Sequence, residues 1–238
     1  MKALGEGRKL EGETEASIEA RAPRAEAIKR VPRKRLLDLL IGGLVLAIAS
    51  PIMAALALLI KLDSPGPVFY RQDRVGRAGL PFTLLKFRSM GVGEADEQHR
   101  ALTAGWFRGD DRVRGYKSLP DPRVTRMGRV LRRTSLDELP QLFNVLLGEM
   151  SLVGPRPAID YELAHYLPWY FERLRVLPGI TGLWQVSGRD RLTAGEMMAL
   201  DVQYVQKCSP WLDLKILALT GPTLVADWLE GWRSTKQT

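Results

Sequence analysis

Cysteine occurs once, at Cys208, and histidine twice, at His99 and His165, in a chain of 238 residues. A lone cysteine excludes an internal disulfide framework, so nothing argues for an oxidising compartment. Cys208 reads as a small buried apolar filler. Without paired cysteines a zinc site is not expected, and a metal here would be a hard cation held by oxygen. Phosphate-cradling glycine motifs are missing as well. Gly91 and Gly93 have neither the spacing nor the strand-to-helix setting of a Walker loop or a dinucleotide fingerprint. There is no internal repeat and no low-complexity tract. Negative charge is in deficit, with 35 Lys and Arg against 27 Asp and Glu, a net charge of +8. That excess points to an anionic partner, and phospholipid, nucleotide phosphates and nucleic acid all qualify on charge alone.

What the chain does have is an uncharged, almost wholly apolar run from Leu39 to Ile60. Its length just suffices to cross a hydrocarbon core, and it tilts the choice of partner toward lipid and nucleotide phosphates. Ser50-Pro51 interrupts it. Proline removes a backbone donor, so a helix entering at Leu36 is expected to bend near Ser50, whose hydroxyl can bond a freed carbonyl. Basic residues flank both ends: Lys29, Arg30, Arg33, Lys34 and Arg35 before the run, Lys61, Arg71, Arg74 and Arg77 after it. Neither end therefore reads as translocated, and the favoured arrangement is a re-entrant hairpin in one leaflet. An ordinary single-pass helix is the first alternative. A signal peptide cleaved near Ala47-Ile48-Ala49 is the second, weakened by Asp38 and by hydrophobicity that continues past the cut.

The expected fold class is α+β, mostly helical, with residues 1–32 as an N-terminal tail, 33–62 as the membrane segment and 63–238 as one compact domain. Val68-Phe69-Tyr70 and Phe82 to Phe87 predict a small β-hairpin with Lys86 near a strand end. Residues 105–120, rich in Gly, Asp, Arg and Pro, predict a long loop. Arg123, Arg126, Arg129 and Arg132-Arg133 recur at helical spacing, a stripe that suits either solvent or anionic headgroups. Leu139 to Leu147 predicts a helix stopped by Gly148, and Tyr161 to Leu177 another. Leu212 to Trp232 is amphipathic, and Trp211, Trp228 and Trp232 fit either the headgroup level or a soluble core.

Three constellations can carry chemistry. In Arg132-Arg133-Thr134-Ser135-Leu136-Asp137-Glu138, adjacent carboxylates can supply a nucleophile and a metal ligand, with arginines neutralising a phosphorylated substrate. The competing structural reading is a capping box of Ser135 and Glu138, or an acid pair on a turn ahead of the helix, since Pro140 is awkward deep in a first turn. In Gly154-Pro155-Arg156-Pro157, two prolines stiffen the backbone around one guanidinium suited to phosphate. In Pro178-Gly179-Ile180-Thr181-Gly182-Leu183-Trp184-Gln185-Val186-Ser187-Gly188-Arg189, glycines permit tight turns and close backbone approach to a ligand.

Together with Ser50-Pro51, Gly66-Pro67-Val68, Lys86-Phe87-Arg88-Ser89-Met90 and Leu200-Asp201, these segments in this order resemble the bacterial sugar transferase family, the monotopic polyprenyl-phosphate phosphoglycosyl transferases. The resemblance runs from Lys34 to the C-terminal helix. It implies transfer of a sugar-1-phosphate from a uridine diphosphate sugar to a polyprenyl phosphate such as undecaprenyl phosphate, the first membrane step of surface glycan assembly. It implies that Asp137 attacks the sugar-proximal phosphorus and carries the phosphosugar. Glu138, with Asp137, would hold Mg²⁺. Lys86, Arg88, Arg133, Pro155, Arg156, Pro157, Gln185, Arg189 and Asp201 are the expected substrate-binding positions, with helix capping an alternative for Asp201. The implied partners are a nucleotide sugar, a polyprenyl phosphate and anionic membrane lipid rather than nucleic acid, with a homodimer left open. The implied location is the bacterial cytoplasmic membrane, catalytic domain on the cytoplasmic face. Three positions depart from the family pattern: Trp184 replaces a small residue, Glu149 an aspartate and Leu85 a tyrosine. The first is expected to reshape the nucleotide or sugar pocket.

Overall fold

Pro32 opens the first helix, α1, which continues to Asp63 over 32 residues, about 48 Å at 1.5 Å per residue. The computed structural model describes residues 32–91, 96–110 and 123–234; the N-terminal tail and most of the expected 105–120 loop lie outside them. Pro51 leaves the Ala47 carbonyl without its helical donor, and the Ser50 hydroxyl donates to that carbonyl at 2.8 Å. This is the compensation expected from the sequence, and with it the helix continues past the proline to Asp63. Lys34, Asp38, Gly42, Ala49, Met53, Leu56 and Ile60 are buried, mostly at three- and four-residue steps. Leu40, Leu44, Ile48, Ile52, Leu58 and Leu62 are exposed on the rest of the helix. The start of α1 is pinned by charge. Lys34 Nζ donates to Val153 O at 2.8 Å and to Asp213 Oδ2 at 2.7 Å, while Asp38 Oδ1 accepts from Ser151 Oγ at 2.9 Å and Leu152 N at 3.0 Å.

The hairpin forms and is longer than expected. Strand β1 (Phe69–Val75) pairs antiparallel with β2 (Pro81–Phe87), setting Tyr70 opposite Lys86. Helix α2 (Asp96–Phe107) occupies the start of the stretch that reads as loop. Helix α3 (Arg126–Thr134) carries the arginine stripe. Its Met127 and Leu131 pack into a cluster with Met53, Leu56 and Ile60 of α1, while Arg126, Arg129 and Arg133 are exposed. Helix α4 (Gln141–Leu147) ends as expected at Gly148, whose φ of 88° lets its N–H reach the Asn144 and Val145 carbonyls.

Sequence reasoning missed a second sheet, parallel and two-stranded, of β3 (Ser151–Val153) and β4 (Gly179–Thr181). Strands of three residues have too little periodicity to be seen. The intervening segment is not one helix. It forms two 3₁₀ stretches, Asp160–His165 and Pro168–Arg175, because Leu167 precedes a proline and takes the extended conformation, ψ 154°. Short helix α5 (Leu183–Val186) follows, then α6 (Ala194–Lys207), whose start is closed by a capping box of Thr193 and Glu196. Asp201 therefore sits mid-helix and does no capping. Helix α7 (Pro210–Ser234) ends the described chain, with Trp211 exposed. Cys208 is buried in the core with Val205, Tyr204 and Ile216, as expected of a filler.

Candidate active site

Thr125 accepts from the Gly128 N–H at 2.9 Å to start α3, and Ser135 ends it in the left-handed conformation, φ 57° and ψ 17°. A residue with a side chain pays about 1–2 kcal/mol for that geometry. The reversal delivers the chain into a 3₁₀ turn, Leu136–Glu138, and then through Leu139-Pro140 into α4. The capping box that Ser135 and Glu138 suggest does not form, since the Ser135 side chain makes no cap bond. The acid pair instead precedes α4 on a turn of its own.

Lys86, at the end of β2, donates to Glu138 Oε1 at 3.0 Å. Arg189 Nη2 donates to Ser135 Oγ at 3.3 Å. Arg189 has a positive φ of 49°, so two side-chain-bearing residues in the left-handed region meet beside the dyad. The carboxylates are driven apart electrically. Burial pushes the Asp137 carboxyl up to about 6, and the neighbouring Glu138 charge adds to this, while Lys86 and Arg132 oppose it. Burial pushes Glu138 upward too, but Lys86, Arg189 and Arg156 outweigh it and hold Glu138 below the usual range. Among the described residues Asp137 makes no ion pair. The result is one carboxylate tied to a lysine and one unusually basic carboxylate beside it.

Lys86, Arg156 and Arg189 thus converge electrostatically on the dyad. Arg132, not Arg133, is the α3 residue that acts on Asp137, since Arg133 is on the exposed face. Arg88, expected at a substrate, is buried at the end of α1, donating to Pro65 O at 2.6 Å, Ser64 O at 2.7 Å and Ser64 Oγ at 2.9 Å. Gln185 donates to Ile180 O at 3.1 Å. Asp201 is fully buried against Arg173, Oδ2 to Nη2 2.6 Å. Trp184, expected to reshape the pocket, is buried in the core with Met197, Met198 and Tyr170. The expected approach of glycines to a ligand is an approach to backbone: a Cβ on Gly154 would stand 2.4 Å from Leu177 O, and one on Gly182 2.3 Å from Gly154 O. Glu149 accepts from Asn144 Nδ2 at 2.7 Å, and the same amide bridges to β2 through Thr83 O at 2.8 Å.

Several contributors were not singled out from sequence. Glu162, 1% exposed, accepts from Arg156 Nη1 with both oxygens at 3.2 Å. Arg173 donates to the Arg156 carbonyl at 2.7 Å and to the Tyr166 hydroxyl. No local signal marked it, since Arg173 stands in the charge-rich run Phe171-Glu172-Arg173-Leu174-Arg175.

No group of three or more His, Cys, Asp or Glu side chains converges among the described residues. The acidic donors that stand together at the site are the two adjacent carboxylates, Asp137 and Glu138. That fits Mg²⁺, which keeps several waters and binds through one or two carboxylates plus substrate phosphates, and does not fit an all-protein cage.

A family model described as bacterial sugar transferase matches residues 29–227. The UDP-glucose:undecaprenyl-phosphate glucose-1-phosphate transferase of Caulobacter vibrioides is 45% identical over 201 residues, covering 81% of this chain and 70% of the relative. Exopolysaccharide production protein ExoY of Rhizobium meliloti is 42% identical over 196 residues, 80% of this chain and 84% of the relative. The UDP-glucose:undecaprenyl-phosphate glucose-1-phosphate transferase of Escherichia coli is 42% identical over 195 residues, 79% of this chain but 39% of the relative.

Proposed function

Because the chain belongs to the bacterial sugar transferase family, we propose that it transfers a sugar-1-phosphate from a uridine diphosphate sugar to undecaprenyl phosphate through a covalent intermediate on Asp137. The observation that carries this reading is the division of labour in the acid pair: Glu138 bonded to Lys86 at 3.0 Å, Asp137 without an ion pair and pushed up to about 6. A more basic oxygen is a better nucleophile, and at neutral pH it is still mostly ionised. The Asp137 oxygen bonds to the sugar-proximal phosphorus as that phosphorus loses its bridging oxygen, and uridine monophosphate leaves with the bond's electrons. An oxygen of undecaprenyl phosphate then attacks the same phosphorus, the acyl-phosphate bond breaks, and the Asp137 carboxylate is restored with formation of a lipid diphosphosugar.

Lys86, Arg156 and Arg189 supply positive charge around the dyad, where a dianionic diphosphate needs it. Asp137 and Glu138 would hold Mg²⁺, which supplies Lewis-acid neutralisation of the phosphate oxygens. Electrostatic crowding also explains why one acid is held ionised while its neighbour is raised, as in other paired carboxylates with two roles.

The packing of α1 supports a placement on one face of the membrane. Its buried stripe runs from Lys34 to Ile60 and packs on α3, α4, β3 and α7, with Lys34 and Asp38 paired inside the domain. A helix crossing both leaflets would carry the elements packed along its length into hydrocarbon, α3 with its exposed Arg126, Arg129 and Arg133 among them. We therefore infer that α1 enters and leaves one leaflet, bending at Ser50-Pro51, with the domain on the cytoplasmic face. There it meets the lipid phosphate at headgroup level and a soluble nucleotide sugar together. The test is incubation of purified protein with Mg²⁺, undecaprenyl phosphate and UDP-glucose or UDP-galactose, identifying the leaving nucleotide. Uridine monophosphate supports the reading. Uridine diphosphate would indicate an ordinary glycosyltransferase, and no turnover across a full donor panel a binding protein.

A further inference from the structure

Four consecutive carbonyls, Pro155 to Ala158, each accept a hydrogen bond from a distant part of the chain. Gly179 N reaches Pro155 O at 2.8 Å, Arg173 Nη2 reaches Arg156 O at 2.7 Å, Arg74 Nη1 reaches Pro157 O at 3.1 Å, and Val75 N reaches Ala158 O at 2.9 Å. Glu162 holds the Arg156 guanidinium at the same time. Arg156 is thus fixed by backbone and side chain, and its charge lies within electrostatic range of Glu138.

Behind this loop lies a pair that no substrate can reach in this structure. Arg173 is 1% exposed and Asp201 0%. The Arg173 guanidinium is shared among the Arg156 carbonyl, Asp201 Oδ2 at 2.6 Å and the Tyr166 hydroxyl. A fully buried ion pair contributes little net stability, because desolvation offsets its attraction, and apolar replacements are often neutral. Stability alone therefore does not account for two charges here.

We propose that Arg173 and Asp201 are a positioning unit for Arg156. Asp201 orients the Arg173 guanidinium, and Arg173, through the Arg156 carbonyl, sets where the Arg156 guanidinium stands relative to the dyad and the substrate diphosphate. Asp201 on this view acts on Arg156, directly and by way of Arg173, and touches no ligand. The proposal rests on the phosphoglycosyl transferase reading of the site.

The test is a double-mutant cycle on kcat/KM for donor-dependent release of uridine monophosphate in the full-length protein. Its corners are wild type, Arg156→Ala, the paired variant Arg173→Met/Asp201→Leu, and the combination. Replacing both charges avoids stranding one. Arg156→Ala is expected to cost about 10²-fold in the wild-type background, and less than about threefold once the pair is gone, since the two act as one unit. A second arm uses Tyr166→Phe, which removes one hydroxyl, and keeps the test valid where the paired variant does not fold. In that background kcat/KM is expected to fall several-fold and the Arg156→Ala penalty to shrink. Full, additive penalties for Arg156→Ala in the folded backgrounds would overturn the proposal and leave the activity standing. A wild-type protein that releases no uridine monophosphate would instead overturn the activity itself.

Discussion

Replacing Asp137 by asparagine should make the protein more stable while abolishing its activity. The carboxyl is pushed from its ordinary 3.8 up to about 6, chiefly by burial and then by the Glu138 charge. A raised pKa in the folded state means that stability is fully present below about pH 4 and is lost as pH rises through about 6, because the ionised form is disfavoured there. At about 1.4 kcal/mol per pH unit the displacement corresponds to about 3 kcal/mol, and solvent at this partly open site reduces it to about 1–2 kcal/mol. Asparagine keeps the shape and removes the charge, so at about pH 8 the variant should melt roughly 2–8 °C higher, using about 2–4 °C per kcal/mol for a chain of this size. The advantage should shrink as the pH is lowered through about 6 toward 4. Thermal unfolding in detergent across that pH series measures the first quantity, and uridine monophosphate release the second, expected to drop by about 10³-fold or more. A variant that is less stable than wild type at about pH 8 would refute the electrostatic reasoning, since it would mean that the ionised carboxylate is favoured where it sits.

The pH-rate profile should show an acid limb near about 6, tenfold per pH unit below it, because attack requires ionised Asp137; a limb near pH 4 would contradict this. Lys86 lowers both acids, so Lys86→Met should move that limb to higher pH while Lys86→Arg leaves it in place. Gly154→Ala should cost about 1–3 kcal/mol in unfolding and displace the Arg156 loop, since its Cβ would stand 2.4 Å from Leu177 O. Chelation of divalent cations should stop turnover, and Mg²⁺ should restore it, whereas retained activity in chelator would remove the metal from the account.

Much of the frame was legible because it rests on local rules. The Leu39 to Ile60 run, the two β-rich runs of the hairpin and the Gly148 stop each depend on neighbours in sequence, and all three are present in the structure. The compensation at Pro51 was legible too, since only Ser50 is placed to bond the freed carbonyl. What escaped was long-range. The pairing of Ser151 with Gly179 joins residues too few to show a pattern, and the burial of Arg88 against Ser64 and Pro65 cannot be told from a ligand-binding arginine by sequence. Trp184 likewise reads as a pocket wall until the core around Met197 and Met198 encloses it. The split of Asp137 from Glu138 depends on a lysine 52 positions upstream, and only the folded hairpin brings it there.

The central claim is that Asp137 becomes esterified by a phosphosugar. Peptide mass spectrometry of protein quenched after mixing with Mg²⁺ and a turned-over UDP-hexose, with undecaprenyl phosphate withheld, addresses it most directly. The expected result is a hexosyl phosphate adduct on the peptide containing Asp137, absent from Asp137→Asn and discharged when undecaprenyl phosphate is added. Stoichiometric uridine monophosphate release with acceptor present, but no adduct on that residue at any quench time, would contradict it.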